Sequence, residues 1–207
     1  MLTSDAVALL EPPPTSLSRA SQVRLRRTLL CSDIVGYTGL LSRLGDRPAL
    51  HVVRRHDAIV RGCAAAHGGQ MLELRGDSFL VSFLRRADAL ACAVTVQREL
   101  AADRAAHPDG GVRVRIGVHT GEVISERGRY FGLDVVVPFR LCDAASADEI
   151  LASGSPEDAA DVLVRGTREL DLKGIPQRVR ALVLDWQLAC RGPVTGTAAP
   201  RLALAGR

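Results

Sequence analysis

Two stretches of the chain carry acids where metal chemistry wants them. Residues 71–83, MLELRGDSFLVSF, read as strand, tight turn, strand. Met71, Glu73 and Arg75 alternate with Leu72 and Leu74, then Phe79, Val81 and Phe83 alternate with Leu80 and Ser82. Gly76-Asp77 is the turn pair, which alone is ordinary hairpin chemistry. Residues 28–38, TLLCSDIVGYT, form an apolar strand that ends on Asp33 and turns at Gly36 into the next element. Two carboxylates, one at a strand end and one at a turn, each near a glycine that lets backbone approach a ligand, suit a pair of divalent metal ions on a triphosphate.

The surrounding elements must hold these acids in place. Residues 1–24, with Pro12, Pro13 and Pro14 and several Ser and Thr, read as a flexible arm ahead of the first core strand at about 27–34. Ala49, Val52, Val53, His56, Ile59, Val60, Cys63 and Ala64 share one helical face, giving an amphipathic helix over about 48–66 that ends at His67-Gly68-Gly69. On that apolar stripe His56 is a core or interface histidine. After the hairpin, Ala87, Leu90, Ala91, Val94 and Leu100 mark a second helix, closing before Pro108. Val112, Val114, Ile116 and Val118 alternate with polar residues or Gly in a one-sided strand, which His119-Thr120-Gly121 turns into a partner strand over 122–126. Val135, Val136, Phe139 and Cys142 suggest a third helix, strained by Pro138, and 150–152, 162–164 and 179–184 are short late strands. The order describes an α+β, ferredoxin-like βαββαβ core with a C-terminal αβ extension: one domain over 25–187 and a flexible tail over 188–207.

A length of 207 residues with 47% hydrophobic content suffices for one proper core. A net charge of +4 permits a polyanionic ligand, but aromatics are only 3% and no basic run is interleaved with them, so nucleic acid is not an expected partner. Cys31, Cys63, Cys92, Cys142 and Cys190 stand singly in apolar stretches, which reads as buried free thiols rather than zinc or disulfides. No run approaches a membrane span and no signal peptide is evident, so the expected location is the cytoplasm.

Seven landmarks in order resemble the class III nucleotidyl cyclase catalytic domain: CSDIVGYT (31–38), HGG (67–69), RGDS (75–78), RVRIGVHTG (113–121), YFG (130–132), RL (140–141) and LKG (172–174). The resemblance implies that Asp33 and Asp77, with the backbone carbonyl of Ile34, hold two Mg²⁺ or Mn²⁺ ions. These ions lower the pKa of the ribose 3′-hydroxyl and neutralise the phosphates as that oxygen attacks the α-phosphorus and expels pyrophosphate. Arg140 matches the arginine that stabilises charge on the α-phosphate. Lys173, the only lysine in the chain, matches the one that reaches the terminal phosphates.

Two positions depart from the family pattern. Val136 stands where the family carries a transition-state asparagine, and a valine donates no hydrogen bond. Glu73 and Arg129 stand where adenylate-forming members carry lysine and aspartate, so the charge pattern is inverted. Glu73 asks for a ring N–H and Arg129 for a carbonyl oxygen. Guanine and uracil offer both, cytosine fits less well, and adenine offers the opposite set. Alternatively, Glu73 and Arg129 pair with each other and read nothing.

Guanylate-forming relatives share the glutamate. A stand-alone domain with altered base positions looks more like the bacterial pyrimidine cyclases of anti-phage defence, and Arg129 tips the choice toward UTP and cyclic UMP. The resemblance further implies a head-to-tail homodimer, in which Asp33 and Asp77 of one protomer face Glu73, Arg129, Arg140 and Lys173 of the other. The alternatives are a guanylate or weak adenylate cyclase, or a pseudo-cyclase that only binds nucleotide or dimerises.

Overall fold

The apolar run that ends on Asp33 becomes strand β1 (Val23–Ile34), the centre of the sheet in a computed structural model that describes residues 23–75, 78–127, 129–159 and 161–188. The hairpin tip Gly76-Asp77, the loop Gly128, the arm up to residue 22 and the tail from 189, with Cys190, lie outside the described residues, as does the side chain of Glu73. β1 begins at Val23, two residues inside the expected arm.

The chain continues through α1 (Tyr37–Leu44), α2 (Asp46–Ala66), β2 (Gln70–Arg75), β3 (Ser78–Phe83), α3 (Arg86–Ala106) and β4 (Val114–Glu126). Then follow β5 (Arg129–Phe131), α4 (Leu133–Ala144), β6 (Ile150–Ser153), β7 (Val164–Leu170) and β8 (Val179–Leu184). The sheet order β2-β3-β1-β4-β6-β8-β7, with β5 paired to β4, contains the expected ferredoxin-like core β2-β3-β1-β4, all antiparallel. α4 and β6 to β8 are the extension, and β6 joins β4 in parallel.

Alternation along β1 sorts the core onto two faces. Leu30 points into the large cluster under α2 and α3 with Phe79, Val81, Phe83, Val114, Ile116 and Val118. Its neighbour Leu29 points to the other face, with Leu80 and Val123, where Tyr130, Val135 and Phe139 pack beside them. Farther along that second face, Val137 and Leu141 of α4 pack on Leu151, Ala181 and Val183. His56 is fully buried against Phe79, the core placement its stripe predicts. Cys31, Cys63, Cys92 and Cys142 are buried free thiols. Burial pushes Cys63 up to about 11 and Cys92 up to about 12, which keeps both protonated and inert.

Three expectations are corrected. The turn at His119-Thr120-Gly121 does not form: β4 runs straight through, because β1 pairs with it residue for residue from Val23↔Ser125 to Ile34↔Val114. A ladder of that length outweighs local turn chemistry, and the partner strand is instead the short β5. Gly121 is there for a close approach, since a Cβ would lie 2.2 Å from Asp134 Oδ2. The late strand expected at 162–164 starts at Val164 and extends to Leu170. Helix α4 passes through Pro138 without breaking, one turn after its first residues, where the missing N–H costs a single bond to Asp134.

α4 lies against β4 at Gly117, where an added Cβ would sit 2.1 Å from the Pro138 carbonyl oxygen and 2.5 Å from Cys142 N. Backbone cannot swing aside as a side chain can, so Gly117→Ala must displace the helix. The expected loss is about 1–3 kcal/mol, the usual range for overpacking, measured by urea unfolding. An unchanged midpoint would show that α4 does not depend on this contact.

Candidate active site

On the α4 face a cavity of ≈860 Å³ opens between the hairpin and the helix. β5 contributes Arg129, Tyr130 and Phe131, α4 contributes Val135, Val136, Phe139, Arg140 and Asp143, and Leu72, Ser78 and Leu80 close the other side. The expected base-reading residue Arg129 and the expected phosphate residue Arg140 are thus brought to one cavity, with Val136 between them in sequence and 38% exposed. Arg129 lies over the Phe131 ring at 5.7 Å from its centroid, a cation–π contact, and has no carboxylate partner among the described residues.

Arg140 donates from Nη1 to Asp143 Oδ2 at 3.2 Å, one turn along the helix. Its Nε is buried and has no partner among the described residues. A buried donor left unpaired costs roughly 1–3 kcal/mol, and an anionic ligand removes that cost.

A β-bulge in β2 tunes the hairpin wall. The register passes from Met71↔Val81 to Glu73↔Leu80, so the period-2 pattern expected across Met71 and Glu73 is interrupted. Met71 packs with the helix-covered core, Leu72 lines the cavity, and the backbone of Glu73 stands opposite Leu80, itself a wall residue.

Asp33 sits at the end of β1, partly buried. Its Oδ1 accepts a hydrogen bond from Ser78 Oγ at 2.7 Å, and its Oδ2 forms an ion pair with the Arg115 guanidinium. Ser78 also lines the cavity, so it joins the strand-end carboxylate to the Arg129 and Arg140 wall. Arg115 is the cross-strand neighbour of Asp33 in the β1/β4 register. Burial works to lower the Arg115 pKa, but the hydrogen bond and charge of Asp33 outweigh it and hold the guanidinium above its ordinary value. Arg115 Nε is buried without a partner among the described residues.

Beyond Ile34 the chain turns at Gly36, φ 72°, directly into α1. No side chain caps α1 and no acid stands in its first turn, so the first backbone N–H groups are left for an anion. Lys173 is exposed on the turn between β7 and β8, next to Leu172, which is buried in the α4 cluster with Val137 and Leu141. It is not among the cavity walls. Spacing along the chain assigns Arg115 and Ser78 no role. Both lie inside family landmarks (113–121 and 75–78), and only the strand register and the fold make them the neighbours of Asp33.

Residues 21–170 match the family model of the adenylate and guanylate cyclase catalytic domain. The chain belongs to this family. An uncharacterized protein of Mycobacterium tuberculosis (strain H37Rv) is 30% identical to this cyclase-family chain over 158 residues, 72% of the chain and 52% of that protein. The putative adenylate cyclase 3 of Rhizobium meliloti is 27% identical over 158 residues, 75% of the chain and 26% of that protein. The chain therefore spans about half, or less, of the length of these relatives. Among solved structures, the guanylyl cyclase Cya2 superposes with a TM-score of 0.70 at 25% identity, covering 79% of this chain and 93% of that one. The adenylyl cyclase CyaB from P. aeruginosa gives a TM-score of 0.69 at 22% identity, over 83% and 99%, a likeness of fold. No described helix of this cyclase domain is long and apolar enough to cross a membrane.

Proposed function

We propose that this chain is a nucleotidyl cyclase, converting a nucleoside triphosphate to a 3′,5′-cyclic nucleotide and pyrophosphate, with UTP as its preferred substrate and cyclic UMP as a second-messenger product. The observation that carries the proposal is the cavity holding Arg129 and Arg140, joined through Ser78 to the Asp33 carboxylate. Its volume falls in the range of about 300–1,000 Å³ usual for small-molecule sites.

The donor set at the end of β1 suits Mg²⁺ or Mn²⁺, since the Asp33 carboxylate and the Ile34 carbonyl are hard oxygens, and the resemblance adds Asp77. When bound, the ions neutralise phosphate charge and acidify the ribose 3′-hydroxyl. Arg115, which now neutralises Asp33, is then free to turn to the phosphates with its unpaired Nε. The uncapped N–H groups of α1 receive phosphate oxygens, Arg140 meets charge growing on the α-phosphate, and Lys173 serves the terminal phosphates.

Arg129 donates to a base carbonyl such as uracil O4, and Glu73 accepts from the ring N–H. A head-to-tail homodimer completes the site, with Asp33 of one protomer opposite Arg129 and Arg140 of its partner. Beside the cavity Phe131 and Leu133 are 45% and 50% exposed, an apolar rim of the kind that seeks a second chain.

Purified protein with Mn²⁺ and each of the four triphosphates, read by mass detection, tests the proposal. Cyclic UMP is expected as the main product, with cyclic GMP second. Cyclic AMP as the main product would overturn the roles given to Glu73 and Arg129. Val136 in the cavity favours a second possibility, a pseudo-cyclase that binds nucleotide without turnover, for which no cyclic product appears.

A further inference from the structure

A second cavity, of ≈740 Å³, lies about five residue steps up β1 from Asp33 and shares no wall residue with the first. Arg26 and Arg27 of β1, Arg86 at the start of α3, Arg178 just before β8 and Arg180 within it all line it, against the two carboxylates Asp158 and Glu169. Glu169, Arg178 and Arg180 are held in ion pairs, whereas Asp158 accepts from a neutral backbone donor and keeps its charge. Glu169 accepts from Arg180 at 2.8 Å, Asp158 Oδ2 accepts from Ser155 N at 2.8 Å, and Arg178 is forked onto Asp171 at 3.0 and 2.8 Å.

Arg26, Arg27 and Arg86 remain, and among the described residues none has a carboxylate in hydrogen-bond contact. Arg86 is the most constrained of the three. Its Nε donates to the Asp158 carbonyl at 2.8 Å, Nη2 to the Ser153 carbonyl at 2.6 Å and Nη1 to Thr120 Oγ1 at 3.2 Å. All three acceptors are uncharged, so they fix the fork in place, and only the field of the nearby Asp158 carboxylate offsets its positive charge, with two of its five N–H groups unused.

Burial, and then the field of Arg26, hold Arg86 below its ordinary pKa against the pull of Asp158. The same fields of Arg86 and Arg26 reach His119, already lowered by its own burial. Arginines clustered around a nucleotide-sized space, Arg26 exposed and Arg27 and Arg86 partly buried, repel one another and are stabilised by an oxyanion.

We propose that this cavity is a binding site for a small phosphorylated anion, with Arg26, Arg27 and Arg86 as the groups that hold its phosphate. The site is separate from the triphosphate cavity, and Leu84 and Val179 in its wall give an organic part of the ligand an apolar surface. It is also one side chain away from α4. His119 Nδ1 lies 2.6 Å from Ser153 Oγ, and its Nε2 lies 3.3 Å from Asp134 Oδ1 in the first turn of that helix.

Isothermal titration of the full chain with inorganic phosphate and with pyrophosphate, in the absence of metal and of triphosphate, decides the matter whether or not the chain cyclises nucleotides. Wild type is expected to bind one or both saturably. Arg140→Ala, which empties the other cavity of its phosphate group, is expected to leave that binding unchanged. The double variant Arg26→Ala with Arg27→Ala should weaken it by at least about tenfold with an unaltered melting curve, and Arg86→Lys, which keeps the charge and loses the fork, should weaken it as well. Absence of saturable binding to wild type, undiminished binding by the double variant, or loss of binding in Arg140→Ala would each overturn the proposal.

Discussion

Asp33→Ala is expected to abolish pyrophosphate release, and mixing it with Arg140→Ala is expected to bring back about a quarter of wild-type activity. The figure follows from symmetry. In an equimolar mixture about half of the dimers are heterodimers, and each holds one intact site where a wild-type dimer holds two. Within one protomer Asp33 and Arg140 stand on different elements, β1 and α4, beside the same cavity, and in the proposed head-to-tail dimer each active site takes one of the two from each chain. Removing the Asp33 carboxylate leaves Arg115 without its partner, and an unpaired, partly buried charge destabilises. Asp33→Asn keeps the shape and the hydrogen bond from Ser78 while losing most metal affinity, and serves as the folded control. Mixtures that stay inactive, although both variants fold and dimerise, would show that the site is contained within one protomer.

Val136→Asn is expected to raise kcat by about 10²- to 10³-fold, the converse of the roughly 2.7–4 kcal/mol lost when one transition-state donor is removed. The position is favourable for the substitution. Val136 is on the cavity side of α4, partly exposed, and four residues before Arg140, so one helical turn sets a new amide beside the guanidinium. Valine and asparagine differ little in helix propensity, and the fold is expected to tolerate the exchange. The effect should fall on kcat and leave KM for UTP nearly unchanged, because the donor acts on charge that develops only in the transition state. A change confined to KM would mean that the amide binds the ground state. If wild type yields no cyclic product and Val136→Asn does, the valine itself accounts for the silence of the native chain.

Much of this architecture could be read from local spacing. The apolar run into Asp33, the helical stripe holding His56 and the alternation from Val112 to Val118 each record a nearby physical constraint, and the ferredoxin-like order follows from them. What escaped that spacing depends on contacts far apart in the chain. Asp33 and Arg115 are 82 positions apart, and only the β1/β4 register makes them neighbours. That same register overrides the turn expected at His119-Thr120-Gly121, because twelve paired residues outweigh one local turn signal. α1 leaves no clear signal in the spacing because eight residues are too few for a helical stripe, and the bulge at Leu72 leaves none because one extra residue does not mark composition. The arginines of the second cavity come from β1, α3 and the β8 region, and individually they look like ordinary surface charge.

β1 is paired along its whole length with β4 and contains no bulge between Arg26 and Asp33. Extended chain held in this way is stiff, covering roughly 3.3 Å per residue with no joint to absorb strain. A push or twist applied where the strand begins therefore arrives undamped at the carboxylate near its other end. A twist applied at Val23 and the metal chemistry proposed for Asp33 would, in this fold, sit at two ends of one rod.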